Sequence, residues 1–470
     1  MKAVLVHYHL KPGGVSTVIR HQAEALRNEA DVLILSGLPA PGEFPAPVAT
    51  IPSLAYDSDA GGREPPETTA DAIVETTIRE LGGLPDLVHV HNPLLAKNRS
   101  LPDVLMRLQH RRIPLLLQIH DLAEDGRPHL YYRDAAYPSD CHYAVINQRD
   151  RRLLVQSGLN PEAVHYLPNP VAPIAAASYP EQPEDHVLYP VRAIRRKNIG
   201  EAMLLSLFFP DRLPLSITLP PNSAADRKPY DFWRRFAAAN GLNVRFEAGV
   251  DADFGQLLAG SRFVLSTSIS EGFGYSFLEP WTAGKVFWGR CLPDIMTDFV
   301  SEGLRLEHLY RSIRLPAEWL ESPGIRDIFR DALASACRHY GVPERLLKPD
   351  GFLDDLFQDD QVDFGLLDER IQSRFLLRLL ENSGCRRRFY ARHPSIAGFR
   401  PETVSERVLA DNRRTVLDRF SPSGYRDRLM DIYRGVLRAT VRHRIDKTTL
   451  IRGCLKPETF SLLKWRSYEA

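Results

Sequence analysis

The feature that most constrains what this chain can fold into is a repeated alternation of short apolar runs with segments of helical spacing. Apolar runs occupy 3–6, 32–35, 87–90, 115–119 and 143–146, and between the first two, Val15, Ile19, Ala23 and Leu26 recur at helical intervals. Alternation of this kind predicts parallel strands joined by crossover helices, an α/β architecture. A stretch rich in Pro and Ala at 172–185 interrupts the pattern and reads as an interdomain linker. A second series follows, with strands at 187–191, 215–219, 244–246 and 263–265 and helices at 199–209 and 230–239. At 470 residues the chain exceeds what one core accommodates, so two domains are expected.

Within the second series, Glu271 and Glu279 are separated by seven residues in Ser-Glu-Gly-Phe-Gly-Tyr-Ser-Phe-Leu-Glu-Pro. The first carboxylate follows a buried strand and the second opens an apolar helix, so both face the crevice where open α/β sheets bind ligands. Gly272 and Gly274 allow close backbone approach, and a helix N-terminus offers free N–H groups to an anion. Carboxylates for hydroxyls beside amides for phosphate suit a sugar nucleotide.

Composition narrows the partners. A net charge of +1 gives no general argument for nucleic acid or an anionic membrane. The five cysteines lack CxxC spacing, which argues against a disulfide framework or zinc site and for a reducing, cytoplasmic setting. The N-terminal apolar run is too short for a signal peptide, and no stretch approaches the roughly 20 residues of a membrane span.

The segment 244–284 resembles the donor-site half of the retaining glycosyltransferases of family 4, which have the GT-B fold. Five further stretches agree in order: Gly-Gly-Val-Ser at 13–16, Asp-Leu-Val-His-Val-His at 86–91, Ile-His-Asp at 119–121, Leu-Pro-Asn-Pro-Val at 167–171 and Val-Arg-Ala-Ile-Arg-Arg-Lys-Asn at 191–198. The likeness covers about residues 1–300 and 420–437. It implies two Rossmann-like domains facing a cleft: 1–175 on the acceptor side, and 186–420 holding the nucleotide-sugar donor with a mostly helical insertion at about 304–400. A crossover helix and tail follow at 421–470. It implies no metal and no cofactor, the nucleotide sugar being a substrate.

The resemblance also distributes roles. Glu279 would accept hydrogen bonds from ribose hydroxyls, and Glu271 from hydroxyls of the transferred sugar; alone, both are also ordinary helix-start carboxylates. Arg192 and Lys197 would stabilise the negative charge that grows on the departing diphosphate, with Arg able to grip two oxygens and Lys acting as a point charge. Arg195 and Arg196 read as a solvated basic loop. Gly13 and Gly14 would line the donor phosphates, with Ser16 and Thr17 satisfying helix N-terminal donors. Gly272, Phe273, Gly274, Tyr275 and Ser276 complete the donor loop. His120, as a neutral imidazole, would meet the donor sugar, with Asp121 orienting it or binding acceptor. His91 is assigned to the cleft floor and His89 to packing. Asn169 takes the family's Pro-Asn-Gly position with Pro170 in place of the Gly, and Trp281 reads as packing.

The expected activity is transfer of a hexose, with retention, from UDP-glucose or GDP-mannose to a small soluble hydroxyl acceptor, in compatible-solute or glycoconjugate synthesis. Two alternatives remain at this level: a glycosyl phosphorylase on the same fold, and a non-catalytic nucleotide-sugar-binding protein. The insertion departs most from the family, and its charged run at 363–372 carries no chemical motif. It is expected either to cap the acceptor side or to form a homodimer, while the basic tail is expected to pack on the first domain rather than contact lipid.

Overall fold

A computed structural model describes residues 1–59, 64–174, 185–457, 459 and 461–465. Most of the linker expected at 172–185 lies outside the described residues, as does the end of the tail. The chain divides into two compact units. The first comprises residues 1–170, 339–342 and 420–455, and the second residues 171–338, 343–419 and 456–470.

The first unit is a seven-stranded parallel sheet. Its strands are β1 (Lys2–His7), β2 (Asp31–Ser36), β3 (Val48–Thr50), β4 (Leu87–His91), β5 (Leu115–Ile119), β6 (His142–Val145) and β7 (Val164–Tyr166), in the spatial order β3-β2-β1-β4-β5-β6-β7. The five anticipated strands form its centre. The additions, β3 and β7, are three-residue edges too short to leave a periodic signal. Side-chain alternation splits the apolar runs between two cores. Val4, Val6, Leu33, Leu35, Val88, Val90, Leu115 and Leu117 serve one. Ala3, Leu5, Ile34, Leu87 and Leu116 serve the other, against Tyr425, Leu429 and Tyr433 of the helix Pro422–Arg438. That late helix is fixed to the first unit by buried hydrogen bonds. The Tyr433 hydroxyl lies 2.9 Å from His89 Nδ1, and Gln22 Nε2 donates to the Tyr425 hydroxyl at 2.8 Å and to Gln118 Oε1 at 2.7 Å. Beyond it, Leu450 and Cys454 of the helix Lys447–Cys454 join the first core.

The second unit holds a five-stranded parallel sheet in the order β10-β9-β8-β11-β12. Its strands are β8 (His186–Arg192), β9 (Leu215–Leu219), β10 (Val244–Arg245), β11 (Ser261–Ser266) and β12 (Phe287–Gly289). A separate antiparallel pair, β13 (Arg314–Pro316) and β14 (Gln361–Asp363), lies in the region read from sequence as mostly helical and without obvious strands. Three-residue strands bracketed by charged helices escape any periodicity test.

The charged run at 363–372, which carries no chemical motif, contributes to a buried polar network. Asp363, Asp368, Glu369 and Gln372 are all buried. Arg290, itself 4% exposed, donates to Asp363 Oδ2 at 2.6 Å and Oδ1 at 3.0 Å, and to Glu201 Oε1 at 2.9 Å and Oε2 at 2.5 Å. Tyr310 and Asn198 complete the hydrogen bonding of Glu201 at 2.6 and 2.9 Å. One guanidinium thus bonds two carboxyl groups from segments over 160 residues apart, and burial with the neighbouring Asp363 raises the Glu201 carboxyl above the usual carboxylate range. Arg290→Met would leave both carboxylates buried and uncompensated, and a loss of about 3–5 kcal/mol is expected. Calorimetric melting of the full chain should show the second unit's transition falling while the first unit's holds.

Candidate functional site

In the second unit the site forms at the carboxyl end of β8. Tyr189 on that strand donates its hydroxyl to the Lys197 carbonyl, and Thr267 Oγ1, beyond β11, donates to the carbonyls of Lys197 and Asn198 at 3.0 and 3.1 Å. Ile269 N–H closes on the Arg196 carbonyl at 3.0 Å. These bonds seat the turn Arg195–Lys197 against the loop leading to Glu271, and Asn198 takes the left-handed backbone (φ 55°) that lets the next helix begin.

This docking brings Lys197 and Glu271 into an ion pair, with side chains 13% and 6% exposed. Burial acts to raise the Glu271 carboxyl, but the Lys197 ammonium and the Arg196 guanidinium outweigh it and hold the group below the usual carboxylate range. Arg192 stands apart from this pair, its Nη1 donating to the Pro220 carbonyl at 3.0 Å. Glu279 contrasts with Glu271. It opens the short helix Glu279–Thr282, and its carboxylate accepts no hydrogen bond from any described residue. Burial alone lifts it to about 7.

The intervening loop needs Gly274. Its φ is +83°, and a Cβ there would lie 2.4 Å from the Phe277 ring. Gly272, Tyr275 and Ser276 follow the same turn, while Phe273 is buried against Phe299 at 5.7 Å between ring centroids, which confines its part in the loop to its backbone. Trp281 is fully buried and donates Nε1–H to the Phe277 carbonyl at 2.9 Å, a packing residue.

Two residues read as solvated prove otherwise. Arg195, 9% exposed at its side chain, grips Glu369 with Nε at 3.0 Å and Nη2 at 2.7 Å. Lys464 lies 3.5 Å from the same carboxylate and 3.0 Å from Gln372 Oε1, while Gln372 Nε2 donates to Asn198 Oδ1 at 2.8 Å. Burial opposes ionisation of Glu369, yet Lys464 and Arg195 hold it down at about 2. Arg196 borders Glu271, donates to the Ser270 carbonyl at 3.4 Å, and keeps a buried Nε–H without a partner among the described residues. The partner of Arg195 lies 174 residues downstream, and no local signal marks it.

In the first unit His120 follows β5 and packs on His91 at the end of β4. The rings stack at 5.3 Å, with His91 Nδ1 2.9 Å from His120 Nε2. His89 stacks in turn on His91 at 4.7 Å. Burial lowers His120 to about 4, against the opposing pull of Asp121, and lowers His89 to about 3, so these rings are neutral near pH 7. His91 contacts His120 through the Nδ1–Nε2 hydrogen bond, and Asp121 accepts from Arg127 at 2.7 Å. The commitment of Nε2 to His91 leaves Nδ1 as the ring atom of His120 without a partner among the described residues. Asn92 Oδ1 caps the backbone N–H groups of His120 and Asp121 at 2.7 and 3.1 Å. Asn169 is buried, and its Oδ1 has no partner among the described residues.

Gly13 and Gly14 lie at the start of the helix Gly14–Leu26, but Ser16 and Thr17 do not cap it. Both lie inside the first turn, so their hydroxyls reach backward to the Lys11 and Gly13 carbonyls at 2.7 and 3.1 Å. Among the described residues no group of three or more His, Cys, Asp or Glu is placed to hold a metal ion, and no helix is long and apolar enough to cross a membrane.

Residues 13–170 match the glycosyl transferase 4-like domain family, and the solved structures below share the GT-B fold of this chain. The mannosylglucosyl-3-phosphoglycerate synthase of Petrotoga mobilis is 28% identical over 345 residues; the match covers 63% of this chain and 66% of that protein's length. Among solved structures, Anabaena HepE in complex with UDP-glucose aligns over 92% of this chain and 98% of its own, with a TM-score of 0.55 and 14% identity. The sucrose-phosphate synthase of Thermosynechococcus elongatus gives the same coverage and identity at a TM-score of 0.54. At such identities these structures bear on the fold.

The Lys197–Glu271 pair makes a signed prediction. In the wild type the depressed Glu271 contributes stability above the unfolded-state pKa, lost as pH falls through the folded value. In Lys197→Met burial prevails and the carboxyl rises, so the penalty is full at high pH and relieved by protonation. Thermal melts should show the variant losing more stability at pH 8 than at pH 5, and an equal loss at both would contradict the pairing.

Proposed function

We propose that the protein transfers a hexose, with retention and without a metal, from UDP-glucose or GDP-mannose to a small soluble acceptor bearing a hydroxyl group. The observation that carries this reading is the division between Glu271 and Glu279. One carboxylate is charged and held in place by Lys197, while the other is half-buried and has no partner among the described residues. Glu271 is fixed as an acceptor for sugar hydroxyls. Glu279 suits ribose hydroxyls, whose donation stabilises its ionised form. Arg192, Lys197 and the unpartnered Nε–H of Arg196 supply positive charge for a departing diphosphate. His120 offers a neutral ring to the sugar. The Petrotoga relative, whose name joins mannosyl and glucosyl units to 3-phosphoglycerate, supports an acidic, phosphorylated acceptor and synthesis of a small glycoside.

Thermal-shift titration with UDP-, GDP- and ADP-sugars tests the donor. A fitting nucleotide sugar at a hundred times its Kd should stabilise the protein by about 2.7 kcal/mol, and no response to any of them would end the proposal. Affinity should rise between pH 6 and pH 8, because ligand hydroxyls bind the ionised form of a group that titrates at about 7. Glu279→Gln should flatten that dependence. With the matching donor and acceptor, Arg192→Ala should lower kcat by roughly 10²-fold, transfer should persist in EDTA, and the product's anomeric proton should report the donor's configuration.

A further inference from the structure

We propose that the first unit carries a subsite for a phosphate monoester on the acceptor, built by Lys97 with Arg127, Tyr56 and His9. The inference rests on the glycosyltransferase reading and names the chemical class of its acceptor. Lys97 lies on the connection after β4, held by packed backbone. Its carbonyl accepts Asp57 N–H at 2.8 Å, and its buried neighbour Asn98 donates to the Ser53 and Ala55 carbonyls, both at 2.8 Å. The ammonium donates to the Tyr56 hydroxyl at 2.8 Å and sits 4.6 Å from that ring's centroid. The same hydroxyl is 3.0 Å from His9 Nε2.

An ammonium has three donors, and Tyr56 takes one. No carboxylate among the described residues lies within salt-bridge distance of Lys97. The two acidic groups of this cluster are already paired, Asp121 with Arg127 at 2.7 Å and Asp59 with Lys11 at 3.7 Å. Lys97 and Arg127 are near enough to repel each other, and burial together with that repulsion outweighs Asp121 to lower the Lys97 ammonium. A partly buried cation without a counter-ion, close to a second cation, is an unfavourable arrangement that a bound anion relieves. Several donors from different chain segments fit the three terminal oxygens of a phosphate ester better than the two of a carboxylate. The cluster draws on the connections after β1, β3, β4 and β5, which bring His9, Tyr56, Lys97 and Arg127 from four segments of the chain.

Isothermal titration of the full chain with 3-phosphoglycerate and with glycerate, each at saturating UDP or GDP, tests the subsite. The phosphorylated compound should bind about 10-fold tighter or better, the worth of one or two charge-assisted hydrogen bonds. Lys97→Met should reduce that preference to about 2–3-fold while leaving nucleotide affinity unchanged. If Lys97→Met melts lower than the wild type, Lys97→Gln, which can still bond Tyr56, carries the same comparison. Equal binding of the two probes by the wild type, or an undiminished preference in a folded Lys97 variant, overturns the subsite. In either case intact nucleotide binding would leave the glycosyltransferase reading standing; absent nucleotide binding would remove that reading and the subsite with it.

Discussion

Concentrating cations at one strand end sets the terms for the second unit. The turn after β8 carries Arg195, Arg196 and Lys197 in succession, mostly shielded from water, where like charges repel strongly. Such a turn stays in place only if counter-charges reach it. Glu271 serves Lys197 from the loop after β11, and Glu369 serves Arg195 from the helix Glu369–Glu381. The mostly helical region after residue 304 is therefore wired to the basic turn. Gln372 reaches Asn198 from the same helix, and Asp363 shares Arg290 with Glu201, which in turn accepts from Asn198. Two polar networks, one around Arg290 and one around Glu369, meet at that asparagine.

The first unit solves a similar problem in the opposite way. Its polar groups at the strand ends are stacked imidazoles kept neutral by burial, and neutral rings tolerate one another at 4.7 and 5.3 Å as cations would not. One ring orients the next, and the chain of contacts ends on the Tyr433 hydroxyl of the late helix. Neutrality there keeps His120 a hydrogen-bonding group rather than a charge, while permanent charge is left to Lys97 and Arg127.

The parts legible in the sequence were those with local signatures. Buried strands announce themselves as apolar runs, and the spacing of Glu271 and Glu279 around Gly274 follows from one strand-turn-helix unit, so the fold and the carboxylate pair could be read directly. Arg195 and Arg196 could not, because their surroundings are set by residues far away: a run such as Arg-Arg-Lys looks solvated until a distant glutamate is known to face it. The run at 363–372 carried no readable motif for the same reason, its polar groups being partners of Arg290, Arg195 and Asn198. Ser16 and Thr17 erred by register alone. A hydroxyl caps a helix only from the residue before its first turn, and here Gly13 occupies that place.

The two glutamates show how one residue type yields two behaviours from its surroundings. Both are pushed upward by burial, and the difference lies wholly in what faces them. Glu271 meets an ammonium and a guanidinium and is ionised throughout the neutral range. Glu279 meets no charge among the described residues and titrates at about 7. A group poised there is poorly suited to maintaining the fold, because near neutrality neither form is strongly favoured. It is well suited to a ligand with paired hydroxyls, since each donated hydrogen bond stabilises the ionised form that the protein alone leaves unsupported. The unmet interaction is thus itself a source of binding energy, available to a ligand that brings donors to that carboxylate and withheld from one that does not.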